Sequence, residues 1–100
     1  MQLALQIVQV GDESVDRTET TRDISSGGVS FVTSLKIDLG GRIEYVITLS
    51  GSNPPVRIRC LGKVIRRQDL QQNGLHEVAV TMERYSFVKA QDTDSVSISA

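Results

Sequence analysis

Arg22-Asp23-Ile24-Ser25-Ser26-Gly27-Gly28-Val29-Ser30-Phe31 is the stretch from which the rest of this 100-residue chain can be read. A polar segment ending in two glycines drops directly into alternating apolar and polar residues, as a tight turn feeding a strand does. Glycine lets the backbone take positive φ and lets another molecule approach closely, while Asp23 and Ser25 offer an acceptor and a hydroxyl on one side of the turn. No other segment of the chain is as dense in such groups.

Strand signals repeat on both sides of it. Upstream, Leu3, Leu5 and Ile7 share one parity, Gln9 interrupts it, and Val8 and Val10 take the other; a strand with a bulge near Ile7 accounts for the switch. Gly11 to Asp16 reads as a polar, acidic turn and Arg17 to Arg22 as a polar strand leading into the motif. Downstream, Val29, Phe31 and Thr33 alternate with Ser30, Val32 and Ser34, Leu35 to Leu39 form a connection, and Gly40-Gly41 a turn. The cleanest alternation sets Ile43, Tyr45, Ile47 and Leu49 against Arg42, Glu44, Val46 and Thr48. Gly51 to Pro55 is a loop, because consecutive prolines remove two backbone donors. Val56, Ile58, Cys60 and Val64 then oppose Arg57, Arg59 and Lys63, with Gly62 at a bulge or barrel corner. Asn73-Gly74 marks a hairpin, His76 to Arg84 a final strand with Val78, Val80 and Met82 inward, and Tyr85 to Gln91 a short helix.

Six short strands with hairpin-type connections predict an all-β fold, a six-stranded antiparallel β-barrel with a short C-terminal helix. Closure removes sheet edges that so short a chain could not otherwise cover. Residues 1–91 make one domain with a small core, and the Ser/Asp-rich residues 92–100 a loose tail. A net charge of -1 argues against a globally basic nucleic-acid binder. The single cysteine, Cys60, cannot form an internal disulfide, and no Cys/His cluster suggests a metal. The apolar start lacks a basic region and a cleavage site, and no run approaches the ~20 apolar residues of a membrane helix. The expectation is a cytoplasmic protein without membrane insertion.

Asp23-x-Ser25-x-x-Gly28, followed by Val-x-Phe, resembles the D-x-S-x-x-G signature of PilZ domains, bacterial receptors for cyclic di-GMP. The similarity continues in order through Leu39-Gly40-Gly41-Arg42-Ile43, the basic strand Val56 to Arg67, and Val78-Ala79-Val80 running to Arg84-Tyr85-Ser86-Phe87, covering roughly residues 3 to 90. The resemblance implies the same six-stranded barrel with a terminal helix, no enzymatic activity, no cofactor, cyclic di-GMP as ligand, and a protein partner. It implies ligand contact by Arg22, Asp23, Ser25, Gly27 and Gly28. The same groups suit an Asx-type turn that caps its own backbone, and both readings stand at this point.

The chain departs from the family pattern in one respect. PilZ receptors carry R-x-x-x-R before the first strand, whereas this sequence begins Met1-Gln2-Leu3 with the strand under way, and Arg17 and Arg22 are wrongly spaced and follow that strand. Two guanines and two phosphates call for planar donor forks. If each bidentate contact contributes about 1 to 3 kcal/mol, losing two weakens a micromolar complex by roughly thirty-fold to more than about ten-thousand-fold. Residues 1–100 alone are therefore expected to bind the dinucleotide poorly unless such arginines lie upstream, and the alternative is a degenerate PilZ domain acting as a protein interaction adaptor.

The remaining candidates have plainer readings. Arg57, Arg59, Lys63, Arg66 and Arg67 form a basic stripe that reads as a solvated strand face; it lacks the aromatic platforms a single-stranded nucleic acid would need. His76 beside Glu77 reads as an exposed strand-start histidine, with no nucleophile elbow to make it catalytic. Cys60 reads as a small core hydrophobe.

Overall fold

The computed structural model describes residues 2–49, 51, 55–70 and 74–89. Seven strands run in the order β1 (Ala4–Val10), β2 (Glu13–Ser25), β3 (Gly28–Thr33), β4 (Arg42–Leu49), β5 (Val56–Asp69), β6 (His76–Thr81) and β7 (Arg84–Lys89). All pairings are antiparallel, in the sequence β4-β1-β2-β3-β6-β5, and a β4–β5 pairing closes the ring. The expected closed six-stranded barrel is therefore present.

Two long strands hold the ring together by changing partners midway. The first part of β2 pairs with β1 and its last residues, Thr21 to Ser25, with β3. The first part of β5 pairs with β4 from Val56 to Lys63 and its remainder with β6. Each change of partner coincides with an irregularity that lets the strand bend.

Inward residues follow the period of two. Leu5 and Ile7 of β1, Val29 and Phe31 of β3, Ile43, Tyr45 and Ile47 of β4, Cys60 and Val64 of β5, and Val78 and Val80 of β6 are all buried in one core. Ile37, in the segment between β3 and β4, is also buried, so that connection serves as a plug as well as a link. The register of β1 shifts between Ile7 and Gln9 against both neighbours, which places the bulge at Val8 and accounts for the change of parity.

Three expectations differ from the structure. The strand expected over His76 to Arg84 ends at Thr81, and Arg84 opens a seventh strand, because the Glu83 N–H turns to the Leu61 carbonyl of β5. The acidic turn is only Gly11-Asp12, with Gly11 at φ 58° and Val10 already opposite Glu13, because backbone pairing accepts outward-facing polar side chains. The residues expected to begin a helix instead form β7, which pairs with Val56 to Leu61 on the edge of β5 that β6 leaves free. An available row of backbone donors and acceptors, together with the alternation of Arg84-Tyr85-Ser86-Phe87-Val88-Lys89, favours a strand over an isolated helical turn. The last two residues of the predicted helix and the tail 92–100 lie outside the described residues, as do most of the 51–55 loop and Asn73 of the predicted hairpin turn. Among the described residues no helix is long and apolar enough to cross a membrane.

Gly62, just before β5 changes partners, is glycine for a steric reason. A Cβ on Gly62 would lie 1.7 Å from the Thr81 carbonyl oxygen, so any side chain there forces β5 and β6 apart. The same oxygen accepts a hydrogen bond of 2.9 Å from the hydroxyl of buried Tyr45, which reaches across from β4. Gly62→Ala is expected to destabilise the protein by about 3 kcal/mol, the upper range for overpacking. Urea denaturation would measure it, and a variant as stable as the parent would contradict the close approach.

Burial pushes the Cys60 thiol up to about 11 from 9, and raises the Tyr45 hydroxyl well above its usual range. The neutral forms are favoured in the folded state, so this stability is complete below about pH 9 and lost as pH rises through about 11. Urea midpoints are expected to fall between pH 9 and 11, and less steeply in Cys60→Ala; equal slopes would remove Cys60 as a cause.

Candidate functional site

The motif folds as the β2–β3 hairpin. Ser25 pairs with Gly28, which leaves Ser26 and Gly27 as a two-residue turn. The Ser25 hydroxyl donates to the Gly28 carbonyl at 3.4 Å, and the Met82 N–H donates to the Gly27 carbonyl at 3.1 Å, tying the turn to the end of β6. Part of the self-capping reading of this turn is thus realised.

The two glycines have different reasons to be glycine. Neither is among the residues with positive φ, contrary to the expectation that the turn needs that freedom. At Gly28 the cause is close approach, because a Cβ would lie 2.3 Å from the Val80 carbonyl oxygen. At Gly27 a Cβ would meet nothing within 4 Å, so the protein itself makes no such demand there.

A shallow cleft of about 230 Å³ opens beside the turn, and Asp23, Ser25, Gly27 and Gly28 all line it. Its floor follows from register. Asp23 pairs with Ser30, Ser30 with Ala79, and Ala79 with Arg66, so these residues form one row across β2, β3, β6 and β5. Val29, Phe31, Val78 and Val80 point into the core, so Ser30 and Ala79 between them point outward. Ser30 is nevertheless only 6% exposed, and its hydroxyl has no hydrogen-bond partner among the described residues. Ile65, at the register shift between Val64 and Arg66, adds an apolar side chain that is 62% exposed.

Arg22 takes no part in this cleft. It sits at the register shift between Thr21 and Asp23, and its guanidinium pairs with Glu77 at 3.5 Å. The Asp23 side chain has neither a hydrogen bond nor an ion pair among the described residues, and the residue is exposed at the cleft. Ser30, Ile65, Arg66 and Ala79 were not legible as site residues, because only register brings them beside Asp23. The basic stripe was the one signal that included Arg66.

That stripe divides into committed and uncommitted members. Arg59 pairs with Glu44, Arg57 donates to the Gln6 side-chain carbonyl at 3.3 Å, and Arg67 pairs with Asp69 at 3.3 Å. Arg66 is exposed and makes neither kind of contact among the described residues. His76 is less exposed than expected, with 13% of its side chain accessible; its Nδ1 lies 2.8 Å from the Asp69 carboxylate, which ties β6 to β5. A larger cleft of about 680 Å³ is lined by Asp12, Glu44 and Glu83 but also by Arg42, Lys63 and Arg84. Its charges balance and no buried, uncommitted polar side chain faces it, so it carries no comparable demand for a ligand. Among the described residues no group of three or more His, Cys, Asp or Glu is placed to hold a metal ion.

In comparison with known proteins, the family model of the PilZ domain matches residues 3–93. No curated protein and no solved structure matches the chain.

The geometry separates the two glycines experimentally. Gly28→Ala should lower the thermal midpoint by several degrees, as about 1 to 3 kcal/mol does in a domain of this size, while Gly27→Ala should leave it within a degree or two. Equal losses, read by calorimetry, would contradict this assignment.

Proposed function

The chain belongs to the PilZ domain family, whose members are generally non-catalytic receptor domains, and from that premise we propose that it is a cyclic di-GMP receptor module. The observation that carries the reading is the gathering of Asp23, Ser25, Gly27 and Gly28 around one cleft. Guanine offers N–H donors on one edge, and Asp23 is an acceptor with no competing partner among the described residues. The open space at Gly27 admits a sugar-phosphate without steric cost.

The position of the amino end suggests how occupancy would be signalled. Leu3 donates its N–H to the Thr21 hydroxyl at 2.8 Å and accepts from the Thr21 N–H at 2.9 Å, two residues from Asp23. A ligand held at residues 23–28 would sit beside this tie and so change the surface that the amino end and the motif present to a partner.

One observation favours the second reading, a nucleotide-independent adaptor. Tyr85 and Phe87 on β7 are 61% and 62% exposed and meet edge to face with centroids 6.1 Å apart. The side of β7 away from β5 has no strand partner among the described residues, and exposed aromatics beside such an edge suit a protein partner.

Titration calorimetry with cyclic di-GMP separates the readings. The receptor requires binding that weakens on the order of tenfold in Asp23→Ala, with the fold unchanged. Absence of heat at millimolar ligand both from residues 1–100 and from a folded chain extended upstream of them would sink it and leave the adaptor.

A further inference from the structure

Resting on the receptor reading, we propose that Arg66 is a specificity-determining residue of the cleft, reading the O6/N7 edge of a guanine that lies across Ser30 and Ala79 with its N–H edge on Asp23. The row that carries this proposal crosses four strands through successive paired residues, from Asp23 through Ser30 and Ala79 to Arg66, with a register shift beside each end member. Three interstrand steps of about 4.8 Å make it about 14 Å from end to end. Its two middle members are small, so the sheet surface between the ends is a trough, while both end members carry charged groups that rise above it.

The ends are chemically opposite. Asp23 can only accept hydrogen bonds and Arg66 can only donate them. Guanine has donors at N1 and N2 and acceptors at O6 and N7, which matches an acceptor wall and a donor wall; adenine replaces the O6 acceptor with an N6 donor and would face the guanidinium with a like group. Ser30 is the second, independent indication. Its hydroxyl is buried and unpartnered beneath the trough, a state that costs free energy and that rotation of the side chain toward a polar ligand atom would relieve. Ile65 supplies an exposed apolar contact for the ring on the Arg66 side.

Arg66 is also available where its neighbours are not. Arg17, Arg22, Arg57, Arg59 and Arg67 are each engaged by another side chain; Arg66, Arg42 and Arg84 are engaged by none among the described residues, and of these three only Arg66 lines this cleft. The register shift between Val64 and Arg66 turns it outward over the trough. Arg66 thus offers one planar fork at the motif, from a strand far from it in sequence, where residues 1–100 lack the paired arginines of the family pattern.

The test pairs a protein change with a ligand change. Affinities are measured for cyclic di-GMP and for its 7-deaza analogue, which lacks the N7 acceptor, with the parent chain, Arg66→Ala and Arg66→Lys. Because Arg66 is exposed and unpaired, both variants should keep the parent's thermal midpoint. The parent should prefer the natural ligand by on the order of tenfold, Arg66→Ala should lose about that factor for the natural ligand and bind both alike, and Arg66→Lys should not restore the preference, since an ammonium lacks the fork. A preference that survives in Arg66→Ala, a parent that binds both ligands alike, or Arg66→Ala binding as the parent does would each overturn the assignment and leave the receptor reading standing. A parent that binds neither ligand, as residues 1–100 and as a chain extended upstream of them, would overturn both.

Discussion

The end of β6 passes between two glycines, and the rest of the structure depends on that passage. The Val80 carbonyl lies against Gly28 of β3 and the Thr81 carbonyl against Gly62 of β5, each closer than a side chain would permit. Tyr45 fixes the arrangement from inside by donating its hydroxyl to the Thr81 carbonyl. The Thr81 hydroxyl accepts from the Lys63 N–H at 2.8 Å, so β6 is tied to β5 by side chain as well as backbone. A buried tyrosine whose hydroxyl were left unsatisfied would forfeit much of what its ring contributes, so burial and hydrogen bond have to be met together.

The same passage builds the candidate site. Gly28 belongs to the signature that resembles a ligand motif, yet its immediate physical role is to let β6 approach β3. That approach puts Ala79 next to Ser30, and the bend of β5 puts Arg66 next to Ala79. A glycine within the motif is therefore the reason that residues outside it reach the cleft. Fold and site share one constraint, and a change at Gly28 disturbs both.

Charge plays a different role from packing. Exposed pairs such as Arg22 with Glu77 contribute about 0 to 1 kcal/mol each, small beside the burial of Phe31 or Tyr45. Their effect is to occupy arginines. With Arg22 held by Glu77 and Arg59 by Glu44, the cations left for a dianion are few, and position decides among them. Arg66 lies over the trough, whereas Lys63, Arg42 and Arg84 line the larger cleft, whose carboxylates balance them.

Alternation alone was enough to read the barrel, the inward faces of β4, β5 and β6 and the bulge in β1, because the side-chain period of a strand is local and a closed ring is what so short a chain of strands can form. Gly62 marked a close approach of β6, while the irregularity of β5 lies between Val64 and Arg66. The motif marked Asp23, Ser25, Gly27 and Gly28 as neighbours for the same reason, since they share one turn. What sequence could not reveal was pairing between distant strands: that Arg84 to Lys89 would find a free edge of β5 and become β7, that Ile37 would plug the core, that Arg22 would be taken by Glu77, and that Ser30, Ala79 and Arg66 would stand in line with Asp23. Local periodicity sets which face a residue occupies, whereas register between strands sets which faces meet, and register here was decided by two carbonyls that only glycine could admit.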